Sequence, residues 1–185
     1  MITGNISEEE LCSFIKSEFL SSKLREKDAL SEIERRKKSD PSGRWDTHAR
    51  PVIGEKMKDW FIEYFGSRTL GDKWENCFDY EKKCKGQNQT LERSKIFSCK
   101  CYPDMFFLKP MHIALELDHG TKGSQIKNAL TKAGFDGLSD DWKKVFLLFF
   151  DESKNRQIEK SIKEKGSQRV LEFYQSHLNT EVIVI

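Results

Sequence analysis

Asp104, Glu116 and Asp118 constrain this chain more than any other residues, because they stand in apolar surroundings that leave acids few places to go. Apolar residues fill 105–108 and 113–117, and Lys109-Pro110 interrupts them, which predicts two short strands joined by a tight turn. With 109–111 as the loop, Leu108 faces His112, and counting back along an antiparallel ladder sets Asp104 opposite Glu116. Directly opposed residues hold their Cβ atoms about 4.5 to 5.5 Å apart. Strand alternation puts Ala114, Glu116 and Asp118 on one face and Ile113, Leu115 and Leu117 on the other. Three carboxylates therefore converge at one end of a hairpin. Each raises the pKa of its neighbours and resists losing water, and a hard divalent cation such as Mg²⁺, which prefers oxygen ligands, relieves that repulsion. The plainer alternative is three solvated acids at a strand edge.

Pro103-Asp104, an interval of eleven residues and then Glu116-Leu117-Asp118 together resemble the signature of the PD-(D/E)XK nuclease superfamily, the fold of many restriction endonucleases. The likeness covers the hairpin closely and residues 50 to 185 loosely, through the order of elements. It departs from the family where Asp118 stands in place of the usual lysine. The resemblance implies an Mg²⁺-dependent hydrolase of DNA phosphodiesters, with Mn²⁺ as substitute, in which Asp104, Glu116 and the Leu117 carbonyl hold the metal. It further implies that Asp118 completes a second metal site or acts as base, and that Lys122 stabilises the transition state. A homodimeric type II restriction endonuclease acting on double-stranded DNA is the specific expectation, since a two-fold protein matches a palindromic site. Two other classes stay open: a non-catalytic nucleic-acid-binding module of the same fold, and a zinc-stabilised interaction protein.

A chain of 185 residues suits one globular domain. We expect a helical segment over 1–40 packed on a nuclease-like α/β core over 41–185. The net charge of +2 rules out a global basic field, so any nucleic-acid site must be a local gathering of Lys and Arg. Val145 to Phe150 is the longest apolar run, far short of a membrane span, and Glu8, Glu9 and Glu10 do not suit a signal peptide. A cytoplasmic protein is expected.

Five cysteines are an odd number and argue against a disulfide framework. Cys77, Cys84, Cys99 and Cys101 supply enough sulfur for structural Zn²⁺, although their spacings depart from the usual pairs. The alternative is that they are small core residues, Cys99 and Cys101 pointing inward from one strand.

Leu11, Phe14, Ile15, Phe19 and Leu20 recur at helical spacing, and Ser7 with Glu10 forms a capping-box pattern, so residues 7–38 read as helical. Asp40-Pro41-Ser42-Gly43 then breaks the chain. The next helix is predicted over Val52 to Phe65, with Ile53, Met57, Trp60, Phe61 and Tyr64 buried and Gly66 as its left-handed cap. His48 and Arg50 fall in the preceding loop and can meet a phosphate. Glu55 falls in the first turn, where the resemblance offers it as a fourth metal-site carboxylate and the helix dipole alone also favours it. The polar stretch from Gly66 to Ser98, with Lys82, Lys83, Lys85 and Arg93, reads as a functional or solvated loop.

After the hairpin a helix is expected over Ser124 to Ala133, its N-terminus beside Gly120, Lys122 and Gly123 able to hold an anion. Lys122 or Lys127 is the expected replacement for the absent lysine, and His119 can act as acid or base or be merely structural. Val145 to Phe150 reads as a central strand covered on both faces, followed by a helix over Asn155 to Asn179 broken at Gly166 and a last strand over Thr180 to Ile185. The order suits an α/β fold, a restriction-endonuclease-like mixed central sheet flanked by helices.

Overall fold

Val145 to Phe150 has no polar side chain to turn toward water, and it forms the middle of a parallel sheet. In the computed structural model, which describes residues 4–20, 27–69, 77–80, 95–96, 99–100 and 103–185, two units are distinguished. The first comprises Met1–Lys85 and Met105–Met111, the second Gly86–Asp104 and His112–Ile185, so the division does not fall at residue 40.

The first unit begins with α1 (Glu8–Leu20), α2 (Lys27–Ser39) and α3 (Trp45–Phe65). The expected capping box starts α1: Ser7 N–H donates to Glu10 Oε2 at 2.8 Å and Glu10 N–H donates to Ser7 Oγ at 3.2 Å. Leu11, Phe14 and Ile15 are buried, and Phe14 meets Phe61 and Phe65 of α3 with ring centroids 5.5 and 5.3 Å apart.

The start of α3 corrects the sequence reading by nearly two turns. Pro51 suggests a late start, but Trp45, His48 and Ala49 are buried along with Val52 and Ile53, and that burial outweighs the lost backbone bond. His48 and Arg50 are thus helical rather than in a loop, and His48 Nε2 lies 3.1 Å from the Asp40 carbonyl, tying the 40–43 turn to the helix. Tyr64 is exposed where burial was expected, while Phe65 is buried. Gly66 ends the helix with a positive φ of 62° but a ψ of −122°, outside the left-handed cap that was expected, and donates its N–H to the Ile62 carbonyl. A short antiparallel pair, β1 (Phe78–Asp79) with β4 (Met105–Phe107), sets Phe78 across from Phe107.

The second unit holds a two-residue pair, β2 (Lys95–Ile96) with β3 (Cys99–Lys100), and a sheet of three parallel strands. Those are β5 (Ile113–Gly120), β6 (Lys144–Asp151) and β7 (Thr180–Val184), with β6 in the middle and buried from Val145 through Phe150. Parallel neighbours need a crossover. Between β5 and β6 it is α4 (Gly123–Gly137), and between β6 and β7 it is α5 (Gln157–Ser161) and α6 (Lys165–His177). Antiparallel pairing in the first unit and parallel pairing in the second give the chain an α/β architecture with mixed strand pairing.

The last crossover departs from the expected helix over Asn155 to Asn179 in where it starts and where it breaks. Asp151 and Ser153 start it: Asp151 Oδ2 accepts the Glu159 N–H at 2.8 Å and Ser153 Oγ accepts that of Gln157 at 2.7 Å. It breaks at 162–164 rather than at Gly166, after the Ser161 hydroxyl donates back to the Ile158 carbonyl at 2.9 Å and competes with continuation. Ile158 is buried as expected, but Val170 and Phe173 are exposed. No helix among the described residues is long and apolar enough to cross a membrane.

Close packing of α4 is set by glycine. A Cβ at Gly137 would lie 1.9 Å from the Leu178 carbonyl oxygen, whereas one at Gly166 meets nothing within 4 Å. Gly137→Ala is therefore expected to destabilise the protein by about 1–3 kcal/mol and Gly166→Ala to stabilise it by roughly 0.4–1 kcal/mol. Urea denaturation of both variants checks this, and equal effects would refute the packing argument.

Candidate functional site

Glu116 is placed by strand alternation on a buried face of β5, and the strand is too well covered for its side chain to reach water: it is 1% exposed. Asp104 is 6% exposed and sits on a bend rather than in a strand, just ahead of β4. Its Oδ2 accepts the Leu117 N–H at 2.9 Å, which fixes the carboxylate beside Glu116. The N–H and C=O of a strand residue face the same edge, so the Leu117 carbonyl opens on the side where Asp104 lies. Asp118 is half-buried, and its Oδ1 accepts the His119 N–H at 2.7 Å.

Two further residues join from α4, and neither was anticipated. Ala129 and Ala133 press this helix against the sheet, and Lys132 and Asp136, one turn apart, share the neighbouring stripe. The Lys132 ammonium forms an ion pair with Glu116 and lies 3.7 Å from Asp104 Oδ2. Asp136 is 2% exposed and adjoins Glu116. Lys132, itself half-exposed, is the lysine that meets these acids, a place expected for Lys122 or Lys127. A sequence signal existed: Lys132 and Asp136 stand one helical turn apart beside the small residues Ala129, Ala133 and Gly134.

The electrostatics follow from this crowding. Burial raises the Glu116 pKa well above its ordinary value, the charges of Asp104 and Asp136 add to the rise, and Lys132 opposes it. Burial also raises Asp118, against the pull of the His119 N–H. For Lys132 burial disfavours the charge, but Glu116 and Asp104 outweigh it and hold the ammonium protonated.

Around this centre, His119 Nδ1 lies 3.0 Å from Glu152 Oε2, and the Thr121 and Lys122 N–H groups donate to Gln125 Oε1 at 2.9 and 3.0 Å. The amide oxygen of Gln125 thus takes the position at the start of α4 where an anion was expected. Glu55 lies within α3 of the first unit rather than in a first turn, so the dipole argument for it fails.

Among the described residues, no group of three or more His, Cys, Asp or Glu side chains is arranged to hold a metal ion. The donor chemistry nevertheless fits a hard cation. Glu116 brings two buried carboxylate oxygens, and Asp104 and the Leu117 carbonyl add oxygens beside them. Lys132 supplies the compensating charge at that point. Cys84 and Cys101 lie outside the described residues, as does most of the polar stretch from 70 to 98; Cys77 is buried and forms no disulfide, and Cys99 is described only as part of β3.

In comparison with known proteins, no family model, no curated protein and no solved structure matches this chain.

The raised pKa of Glu116 means that the folded state prefers it protonated. Its contribution to stability is complete below its unfolded value of 4.5 and is lost as pH rises through the folded value. Glu116→Gln is expected to flatten the fall in stability above pH 4.5, and Lys132→Ala, which leaves the carboxylates without their cation, to steepen it. Urea midpoints measured across that range decide the matter; the same slope in all three proteins would contradict the assignment.

Proposed function

We propose that the chain is a metal-dependent phosphodiester hydrolase acting on double-stranded DNA, of the type II restriction endonuclease kind and working as a homodimer. The observation that carries this reading is the meeting of the buried carboxylates of Asp104 and Glu116 with the half-exposed ammonium of Lys132. Two carboxylates from separate segments, brought together with a cation, are what a site for phosphoryl transfer requires and what a structural ion pair does not.

Asp104, Glu116 and the Leu117 carbonyl would hold Mg²⁺, with Mn²⁺ as substitute. When bound, such an ion polarises the phosphate and lowers the pKa of a bound water. The remaining work falls to the chain's own residues. Lys132, kept charged by the acids around it, donates to a non-bridging phosphoryl oxygen and takes the role first expected of Lys122. Asp118 accepts the proton of the attacking water. The water oxygen bonds to phosphorus as the bond to the leaving sugar oxygen breaks, and that oxygen takes its proton from solvent. Position supports the assignment in part, since Asp118 lies toward the carboxyl end of β5, the end of a parallel sheet where ligands bind, two residues beyond Glu116 at the middle of the strand.

One observation favours a second reading. The Lys132 ammonium already neutralises Asp104 and Glu116, which is also how a non-catalytic nucleic-acid-binding module would retire the same cluster. Plasmid nicking separates the two. The hydrolase is expected to nick with Mg²⁺ and not with a chelator, Asp104→Asn and Glu116→Gln to abolish nicking, and Lys132→Met to lower it by about 100-fold or more. Lys122→Ala should stay within a few-fold of the parent. Intact plasmid with the parent protein at every Mg²⁺ and Mn²⁺ concentration would favour the binding module.

A further inference from the structure

A cavity of about 620 Å³ opens on the first unit, within the range of small-ligand sites. Its walls come from Glu10 and Ser13 of α1, Tyr64 and Phe65 at the end of α3, and Ser67 and Arg68 just beyond. Tyr64 is 58% exposed yet is not a loose side chain. Its ring meets Phe65 nearly edge-on at 4.8 Å and lies 5.5 Å from Phe14, so a held aromatic plate is turned to solvent.

The charged wall is equally fixed. Arg68 donates to Glu10 through both terminal nitrogens, at 2.7 and 2.8 Å, and its guanidinium lies 5.8 Å from the centre of the Phe65 ring. The arginine and the Ser7 N–H hold the Glu10 carboxyl down to about 2, so it stays ionised at any ordinary pH. These contacts exclude two classes of ligand. A small free anion would face the Glu10 carboxylate, which already takes a hydrogen bond from each terminal nitrogen of Arg68. An aliphatic chain would take water from the ion pair and offer the hydroxyls of Ser13 and Ser67 no hydrogen bond. What remains is an uncharged planar ring with polar groups on its edge: the ring stacks on an aromatic face, the edge meets small hydroxyls that both donate and accept, and a guanidinium plane lies alongside.

We infer that this cavity is a nucleobase site, in which an unpaired base stacks on Tyr64 and turns its polar edge to Ser13 and Ser67. The base can belong to a free nucleotide or to a single strand. The inference is independent of the hydrolase reading, which concerns the second unit.

The test uses the full chain in chelator, where no hydrolysis intervenes. Binding is measured with a short single strand carrying fluorescent aminopurine, with the same strand made abasic at that position, and with free adenosine monophosphate. Quenching of aminopurine on binding, with the abasic strand at least 5-fold weaker, is the expected result. Binding of the mononucleotide as well assigns the site to free nucleotides, and its failure assigns it to strands. Tyr64→Ala should weaken binding by roughly 5- to 150-fold, the loss of one base stack, while Tyr64→Phe keeps it. The exposure of Tyr64 makes both variants compatible with the fold, which a thermal melt verifies. Equal binding of intact and abasic strands, or binding unchanged in Tyr64→Ala, overturns the inference.

Discussion

A carboxylate with almost no access to water, set in the covered strand β5, is the constraint from which the second unit follows. Moving a charge out of water costs several kcal/mol even after the protein relaxes. Two arrangements offset that cost for Glu116, a proton favoured by burial and by Asp136 and the Lys132 ammonium, while Asp104, held beside it by the Leu117 N–H, works against its charge. Asp136 and Lys132 both come from α4, so the strand and that helix must be in register for the acid to be tolerated. Hydrophobic residues alone would have been a simpler filling. That a strand this apolar retains a buried acid, attended by two more acids and a lysine, is what directs attention to chemistry.

Much of the fold was legible because it is written in local patterns. The run from Val145 to Phe150 reads as a doubly covered strand and is one, and the Ser7–Glu10 capping box forms as its spacing indicates. Asp104 and Glu116 were legible as a pair, although the bond that joins them runs to the neighbouring backbone and not across a ladder. The helix after β5 was found but made too short, since Gly134 to Gly137 extend it beyond the expected end at Ala133.

The misreadings share a cause: tertiary burial overriding a local signal. Pro51 marks a break in sequence, yet the apolar surface of Trp45 and Ala49 keeps the chain helical through it. Lys132 was passed over because a lysine in an amphipathic helix reads as solvated, and nothing local reveals that the helix lies beside a strand carrying Glu116. Val170 and Phe173 were assigned to the core on spacing, but spacing identifies a face and does not say whether a neighbour covers it.

The parallel register of the sheet has a practical corollary at its far edge. Asp118 aligns with Phe149, and Phe149 with Val184, so the last strand runs toward the same rim as the acids, two strand spacings or about 10 Å away. Ile185 is stitched in by its N–H to the Phe149 carbonyl and by its own carbonyl to the Asp151 N–H, each at 2.9 Å. Any polypeptide attached after Ile185 therefore leaves the sheet at the rim where Asp118 lies, so a fusion partner or affinity handle joined there starts only two strand spacings from that acid.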